Sequence, residues 1–262
     1  MGKKGFSRLA VLLMAMFSPI AWADVQLLAV SDTFGDNAII MDLEITGTIE
    51  KGDSEAFATR LRAFSDHKQF VRVTLNSAGG NIEEALRVGQ KIRDVRGYVS
   101  VPVGAECASS CVFLLAAGTE RGVSGKVGIH RPFNPEGQEL DEAEIKALYK
   151  DLKVAAEAFL EEMNVSVRLY EDMLRIPPQS MRYLSREELN HYGLLGSDPV
   201  VAEIKAAESA VKAGVSREEL ARREAKVEQV CGEINDDLIK NEAYMRRYGP
   251  CYDAIMAGKP WP

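Results

Sequence analysis

A serine hydroxyl is a weak nucleophile until a base takes its proton, and imidazole is the side chain whose pKa suits that task near neutral pH. The chain has three histidines. His67 lies in the polar stretch Ser65-Asp66-His67-Lys68-Gln69 and His191 near a helix end, so both read as surface residues. His130 alone follows a short apolar strand, Val127-Gly128-Ile129. Upstream, Ser109 lies in Gly104-Ala105-Glu106-Cys107-Ala108-Ser109-Ser110-Cys111-Val112-Phe113, where a strand passes into a helix of small and apolar residues. A hydroxyl there sits at a helix N-terminus, whose dipole favours developing negative charge. The plainer use of Ser109 or Ser110 is as a helix cap. The third piece is Asn76-Ser77-Ala78-Gly79-Gly80, expected as a turn between a strand and a helix. Its glycines free the backbone for unusual dihedrals and close approach, and the exposed N–H groups at a helix start form an anion-binding concavity. Its plain alternative is a tight turn.

The four cysteines stand at 107, 111, 231 and 251. An even number in an oxidising compartment favours disulfides, and proximity favours Cys107–Cys111 and Cys231–Cys251 among the three connectivities. A zinc site is the rival. The spacing is not Cys-x-x-Cys and no histidine is adjacent, so no metal is expected. A Cys107–Cys111 bridge would stiffen the turn bearing Ser109, at i−2 and i+2 from it.

The elements that must position these residues read as follows. Ala38 to Ile49 is β-branched enough for a strand ending at Gly47. Asp53 opens a helix through Phe64, with Phe57, Leu61 and Phe64 on one face. Val71 to Leu75 is a strand, Asn81 caps the next helix in a capping box with Glu84, and that helix runs to about Val95. Tyr98 to Val103 and Val127 to Ile129 are strands, and Ser109 to Ala117 and Asp141 to Met163 are helices. Ser185 to Glu188 is a capping box for a short helix stopping at Gly193. Alternating strands and helices predict βαβ units and a largely parallel α/β sheet. Past Ser197-Asp198-Pro199 the composition turns charged and helical, with a second capping box at Ser216 to Glu219. The predicted organisation is a leader over 1–23, a domain over 24–199 and a helical extension over 200–262.

The leader has a basic start in Lys3, Lys4 and Arg8, an apolar run from Leu9 to Phe17, and Ala21-Trp22-Ala23 as a small-x-small cleavage pattern. That run is too short to span a bilayer, no later stretch approaches 20 apolar residues, and no lipid-accepting cysteine adjoins the cleavage site, so no membrane span is expected. Its removal takes away three basic and no acidic residues, leaving 29 Lys and Arg against 39 Asp and Glu, a net charge of −10. Such a balance argues against nucleic acid and anionic membrane surfaces as partners. The expected location is periplasmic or secreted.

Four segments carry a resemblance. Leu75-Asn76-Ser77-Ala78-Gly79-Gly80, Ala108-Ser109-Ser110 through Phe113 to Gly118, Ile129-His130-Arg131-Pro132, and Arg182-Tyr183-Leu184-Ser185 with Tyr192-Gly193-Leu194-Leu195 follow in order. From Ile45 to about Leu195 the chain resembles the proteolytic subunit of the Clp protease and its periplasmic relatives in the crotonase superfamily. The resemblance implies a fold of repeated ββα units, a nucleophile at Ser109, a base at His130, and an oxyanion hole from the N–H groups of Gly80 and Ser110. Ala78 stands where proline is usual and Arg131 where glutamine is usual. The Ser109-to-His130 interval is shorter by a few residues, which a trimmed loop around Arg121 to Gly125 would explain. Met181 occupies the position of the acid that holds the histidine. Asp172 or Glu171 could substitute, and Lys146 or Lys150 could serve in the Ser–Lys dyad used by some membrane-associated peptidases of this fold.

Three functions follow from these residues. The first is an exported serine hydrolase, a peptidase on peptides or unfolded polypeptides. It would be ATP-independent, because the sequence has no Walker-type loop, and no cofactor is expected. The second is a catalytically inactive relative that binds peptides or acts as a scaffold. The third, acyl-CoA chemistry, is disfavoured outside the cytoplasm. A homo-oligomer is implied by the resemblance, through the long helix after His130.

Overall fold

The computed structural model of the protein describes residues 24–32, 37–132, 142–232 and 242–261. The expected leader over 1–23 lies outside them. The chain is mixed α/β around a central sheet.

Strand β1 (Asp24–Asp32) pairs antiparallel with β2 (Ala38–Ile49). Sequence patterning missed β1, whose apolar residues do not alternate cleanly: Val25 is buried while Leu28 and Val30 are exposed. Strand β2 runs parallel to β3 (Lys68–Gly80) from Ala38 opposite Lys68 to Ile49 opposite Gly80, with a bulge between Gly47 and Thr48. Alternate residues Met41, Leu43 and Ile45 of β2, and Val71, Val73 and Leu75 of β3, enter the core. Helix α1 (Asp53–Arg62) joins β2 to β3 and buries Phe57.

The glycine segment expected as a turn is instead the last part of β3. Backbone pairing explains it, because Gly80 aligns with Ile49 while Ser77 aligns with Cys107 on the other edge. Only α2 (Ile82–Asp94) ends the strand; Asn81 caps it by accepting from the Glu84 N–H at 2.8 Å. The Glu84 carboxylate does not return to Asn81 as the capping box required. It accepts from the N–H groups of Gly52 and Ser54 and ties α2 to the start of α1.

At β3 the sheet forks. One half of its free edge pairs in parallel with β4 (Tyr98–Val101), which pairs with β6 (Glu120–Val123) and, beyond it, antiparallel β9 (Gly196–Ser197). The other half takes β5 (Glu106–Ala108), then parallel β7 (Lys126–Ile129) and antiparallel β8 (Arg182–Tyr183). Strands β5 and β6 were not expected. They are three and four residues long and carry charged Glu106, Glu120 and Arg121, so neither offers an apolar run long enough to read as a strand. Consequently the stretch from Arg121, read as a trimmed loop, begins inside a strand.

In the fork lies α3 (Cys111–Ala117), every residue of which is fully buried. Helix α4 (Glu142–Glu162) packs Phe159 edge-on against Phe113 of α3 at 6.0 Å, and α5 (Arg168–Arg175) adds buried Tyr170 and Met173. Complete burial of a side chain such as Phe113 is worth about 1.5–3 kcal/mol. Helix α6 (Arg186–Tyr192) has the full capping box from Ser185 and ends at left-handed Gly193, as expected.

Helix α7 (Pro199–Ala213) begins at Asp198, whose one carboxylate oxygen accepts from the N–H groups of Val200 and Val201. Its other oxygen accepts from Arg93 at 2.7 Å and Asn164 at 3.0 Å, with Arg121 3.7 Å away. Helices α8 (Arg217–Cys231) and α9 (Glu242–Met256) close on a small core of Val227, Cys231, Cys251 and Ile255. The disulfides are Cys107–Cys111 and Cys231–Cys251, the two pairs expected. The second spans 20 residues, a constraint worth about 3 kcal/mol in the chain-entropy account. Replacing Cys231 and Cys251 together by alanine should therefore lower amide-exchange protection in α8 and α9 by about that amount, leaving β2, β3 and α3 protected as before. Among the described residues no helix is long and apolar enough to cross a membrane.

Candidate active site

Ser109, expected as the first residue of the helix Ser109 to Ala117, belongs instead to the turn before it. It follows β5 and precedes Ser110, the N-cap of α3. Its φ is 54°, a left-handed conformation uncommon outside glycine, which turns the chain sharply between strand and helix. Several contacts hold it. The Ser109 N–H donates to the Gly128 carbonyl at 2.9 Å, its carbonyl accepts from Val112 at 3.2 Å, and the Cys107–Cys111 bridge spans the turn.

Gly79 packs against this turn. It has φ +89°, and a Cβ built on it would lie 2.6 Å from the Ala108 carbonyl oxygen, 2.7 Å from Ser109 Cβ and 2.9 Å from the Ser110 nitrogen. Only glycine lets β3 come this near the serine. A Cβ on Gly80 would collide with the Ile49 carbonyl.

Parallel pairing of β5 with β7 sets Ala108 opposite Gly128. Ser109 and His130 therefore leave the same ends of adjacent parallel strands, and both are largely buried, 9% and 7% exposed. The His130 Nδ1 lies 2.9 Å from the Arg131 carbonyl oxygen. A carbonyl only accepts, so that bond places a proton on Nδ1 and leaves Nε2 as the basic nitrogen. The Arg131 N–H is anchored to the Ile176 carbonyl at 2.8 Å, just past α5. The other histidines stand apart from this constellation: His67 pairs with Asp66, and His191 is exposed on α6.

Ser110 is fully buried, and its hydroxyl accepts from the Gly80 N–H at 2.7 Å while donating to the Gly80 carbonyl at 3.1 Å. One of the two amides expected to face an oxyanion thus already has an acceptor. Nothing in residue type or spacing signals this contact, which depends on β3 and the α3 turn meeting in space.

Strand β8 pairs Gly128 with Tyr183 and Ile129 with Arg182. Met181 stands just before the paired residues, and a Cβ built on Gly128 would lie 2.6 Å from its Sδ, so Met181 packs against β7 at Gly128. Of the substitute acids, Asp172 accepts from Arg175 and from the Tyr192 hydroxyl, each at 2.6 Å, and Glu171 is exposed on α5. Lys146 and Lys150 line a groove of about 630 Å³ together with Arg131. Neither Ser109 nor His130 lines that groove; it opens at the residue after the histidine. Among the described residues no cluster of His, Cys, Asp and Glu could hold a metal ion.

A family model described as Clp protease matches residues 29–201 of the chain. No curated protein matches it.

Proposed function

The chain belongs to the Clp protease family, and from that premise we propose that it is an exported serine peptidase working without ATP on short or unfolded polypeptides. The family suggests a serine peptidase-type function. One observation carries the assignment of residues: Ser109 is held in a left-handed turn at the end of β5, beside the β7 strand from which His130 emerges. In the proposed reaction His130 Nε2 takes the Ser109 proton as Oγ attacks the substrate carbonyl. The tetrahedral intermediate collapses, the amine leaves with that proton, and water, activated by the same imidazole, hydrolyses the acyl-serine.

The N–H groups of Gly80 and Ser110 are the proposed oxyanion donors. For Gly80 this requires the Ser110 hydroxyl to turn aside or share the N–H when substrate enters. A preorganised donor of this kind is typically worth about 3–4 kcal/mol to the transition state. The Arg131 carbonyl supports the productive tautomer in place of a carboxylate. A carbonyl stabilises the imidazolium less than a full negative charge, so a slow enzyme is expected.

The proposed organisation is a cleaved leader over 1–23, a catalytic domain over 24–199 in the manner of the crotonase superfamily, and a helical extension over 200–262. Two disulfides are compatible with an extracytoplasmic location, and the periplasm is the proposed one. Clp proteases often oligomerise, and α4 is the proposed element of self-association.

A second reading, a peptide-binding or scaffolding protein without turnover, is favoured by the Gly80–Ser110 pairing and by Met181 at the position where the resemblance implies an acid. A fluorophosphonate distinguishes the two, since only an activated serine attacks phosphorus at a useful rate. The mature protein is expected to carry the adduct on the peptide containing Ser109, found by mass spectrometry after digestion. An unlabelled protein that still binds peptide would establish the second reading instead.

A further inference from the structure

The groove beside His130 has a one-sided charge that the hydrolase chemistry does not require. Lys146, Tyr149, Lys150 and Lys153 stand at i, i+3, i+4 and i+7 of α4, a single helical stripe, and all four line it. Arg131 lines it too, and Leu174 of α5 supplies an apolar patch. No acidic side chain among the described residues lines the groove. Lys153 reaches Glu157 at 3.5 Å, while Lys146 and Lys150 are exposed. The Arg131 backbone is fixed by Ile176, and the Tyr149 hydroxyl donates to the Pro132 carbonyl at 3.1 Å, so the cationic stripe is tied directly to the base segment.

A local cluster of positive charge in a chain of net charge −7 attracts acidic segments that the chain as a whole repels. We propose that this groove is the specificity subsite of the protein, receiving acidic side chains of an extended peptide a few residues from the bond presented to Ser109. The carboxylates meet the α4 lysines and Arg131, while the Tyr149 ring and Leu174 take an apolar side chain between them. The proposal rests on the peptidase reading for the meaning of the bound peptide, but binding itself needs no turnover.

The test uses the full mature chain carrying Ser109→Ala, so that no cleavage confuses the measurement. Fluorescein-labelled peptides of alternating Glu and Leu, and of alternating Gln and Leu, are titrated by fluorescence anisotropy. The Glu peptide is expected to bind at least about tenfold more tightly, the advantage shrinking at about 0.3 M salt. Adding Lys146→Glu and Lys150→Glu should abolish the preference. The same charge change placed on α7 and α8, Lys212→Glu with Lys226→Glu, should leave it. If the α4 double variant fails to fold, as thermal unfolding would show, Lys150→Gln and Arg131→Gln each serve in its place and should weaken Glu-peptide binding about threefold. Equal affinity for the two peptides overturns the proposal, and so does a preference that survives the α4 changes. Failure of the hydrolase reading is scored separately, by absence of the fluorophosphonate adduct on the parent protein.

Discussion

Ser109→Ala should lower peptide hydrolysis by about ten-thousandfold or more, and His130→Ala by about a hundred- to ten-thousandfold. Combining them should cost no more than Ser109→Ala alone. Once the nucleophile is gone the base has no proton to take, so the two losses do not add. The measurement is kcat/KM on an unstructured reporter peptide for the two single variants and the double. Ser109→Ala should unfold at nearly the parental temperature, because Ser109 is held by backbone contacts that alanine retains: its N–H to Gly128 and its carbonyl to Val112. Full additivity would mean that serine and imidazole act independently, and the proposed pair would be withdrawn.

The second large effect is on stability. Asp198→Ala should destabilise the protein by about 3–5 kcal/mol, seen as a fall of about 10 °C in the unfolding midpoint. Asp198 is fully buried and receives four hydrogen bonds: from Arg93, from Asn164, and from the N–H groups of Val200 and Val201. The Arg121 side chain beside it is almost fully buried and donates to the Gly193 and Met163 carbonyls. Burial lowers the Arg121 pKa to about 10, although the Asp198 charge works the other way. Deleting the carboxylate leaves two guanidinium groups sheltered from water with no anion between them. It also removes the cap of α7 and uncouples that helix from α2, β6 and the segment after α4.

The same carboxylate sets a pH dependence. Burial pushes the Asp198 pKa up, but the Val201 N–H, Arg93 and Asn164 outweigh it and hold it below the ordinary 3.8. A folded pKa below the unfolded one means that the stabilisation is complete above the unfolded value and drains away as pH falls through the folded one. The parent should thus lose stability below about pH 4 more steeply than Asp198→Ala does, in parallel thermal scans.

Local rules were read correctly where the stabilising partner lies within a few residues. The Ser185–Glu188 capping box, the left-handed stop at Gly193, the Asn81 cap and both disulfides needed only short spacing or a small choice among pairings. The same rule misled at Glu84, because its carboxylate satisfies the N–H groups of Gly52 and Ser54, which sequence distance hides. Likewise the glycine segment, punctuated like a turn, continues as strand because Ile49 and Cys107 flank it on two edges.

Residue types, their order and the resemblance they carry were therefore enough to name the hydroxyl at 109 and the imidazole at 130 as candidates, and to mark the glycines that must stay free of a Cβ. The tertiary structure alone decided what those groups touch. It bent Ser109 into a left-handed turn against Gly79, gave the Gly80 amide to the Ser110 hydroxyl, packed Met181 against Gly128 and gathered the α4 lysines beside Arg131. The strands that bring these segments together pair across 20 to 55 positions of chain, and no local periodicity encodes such pairing.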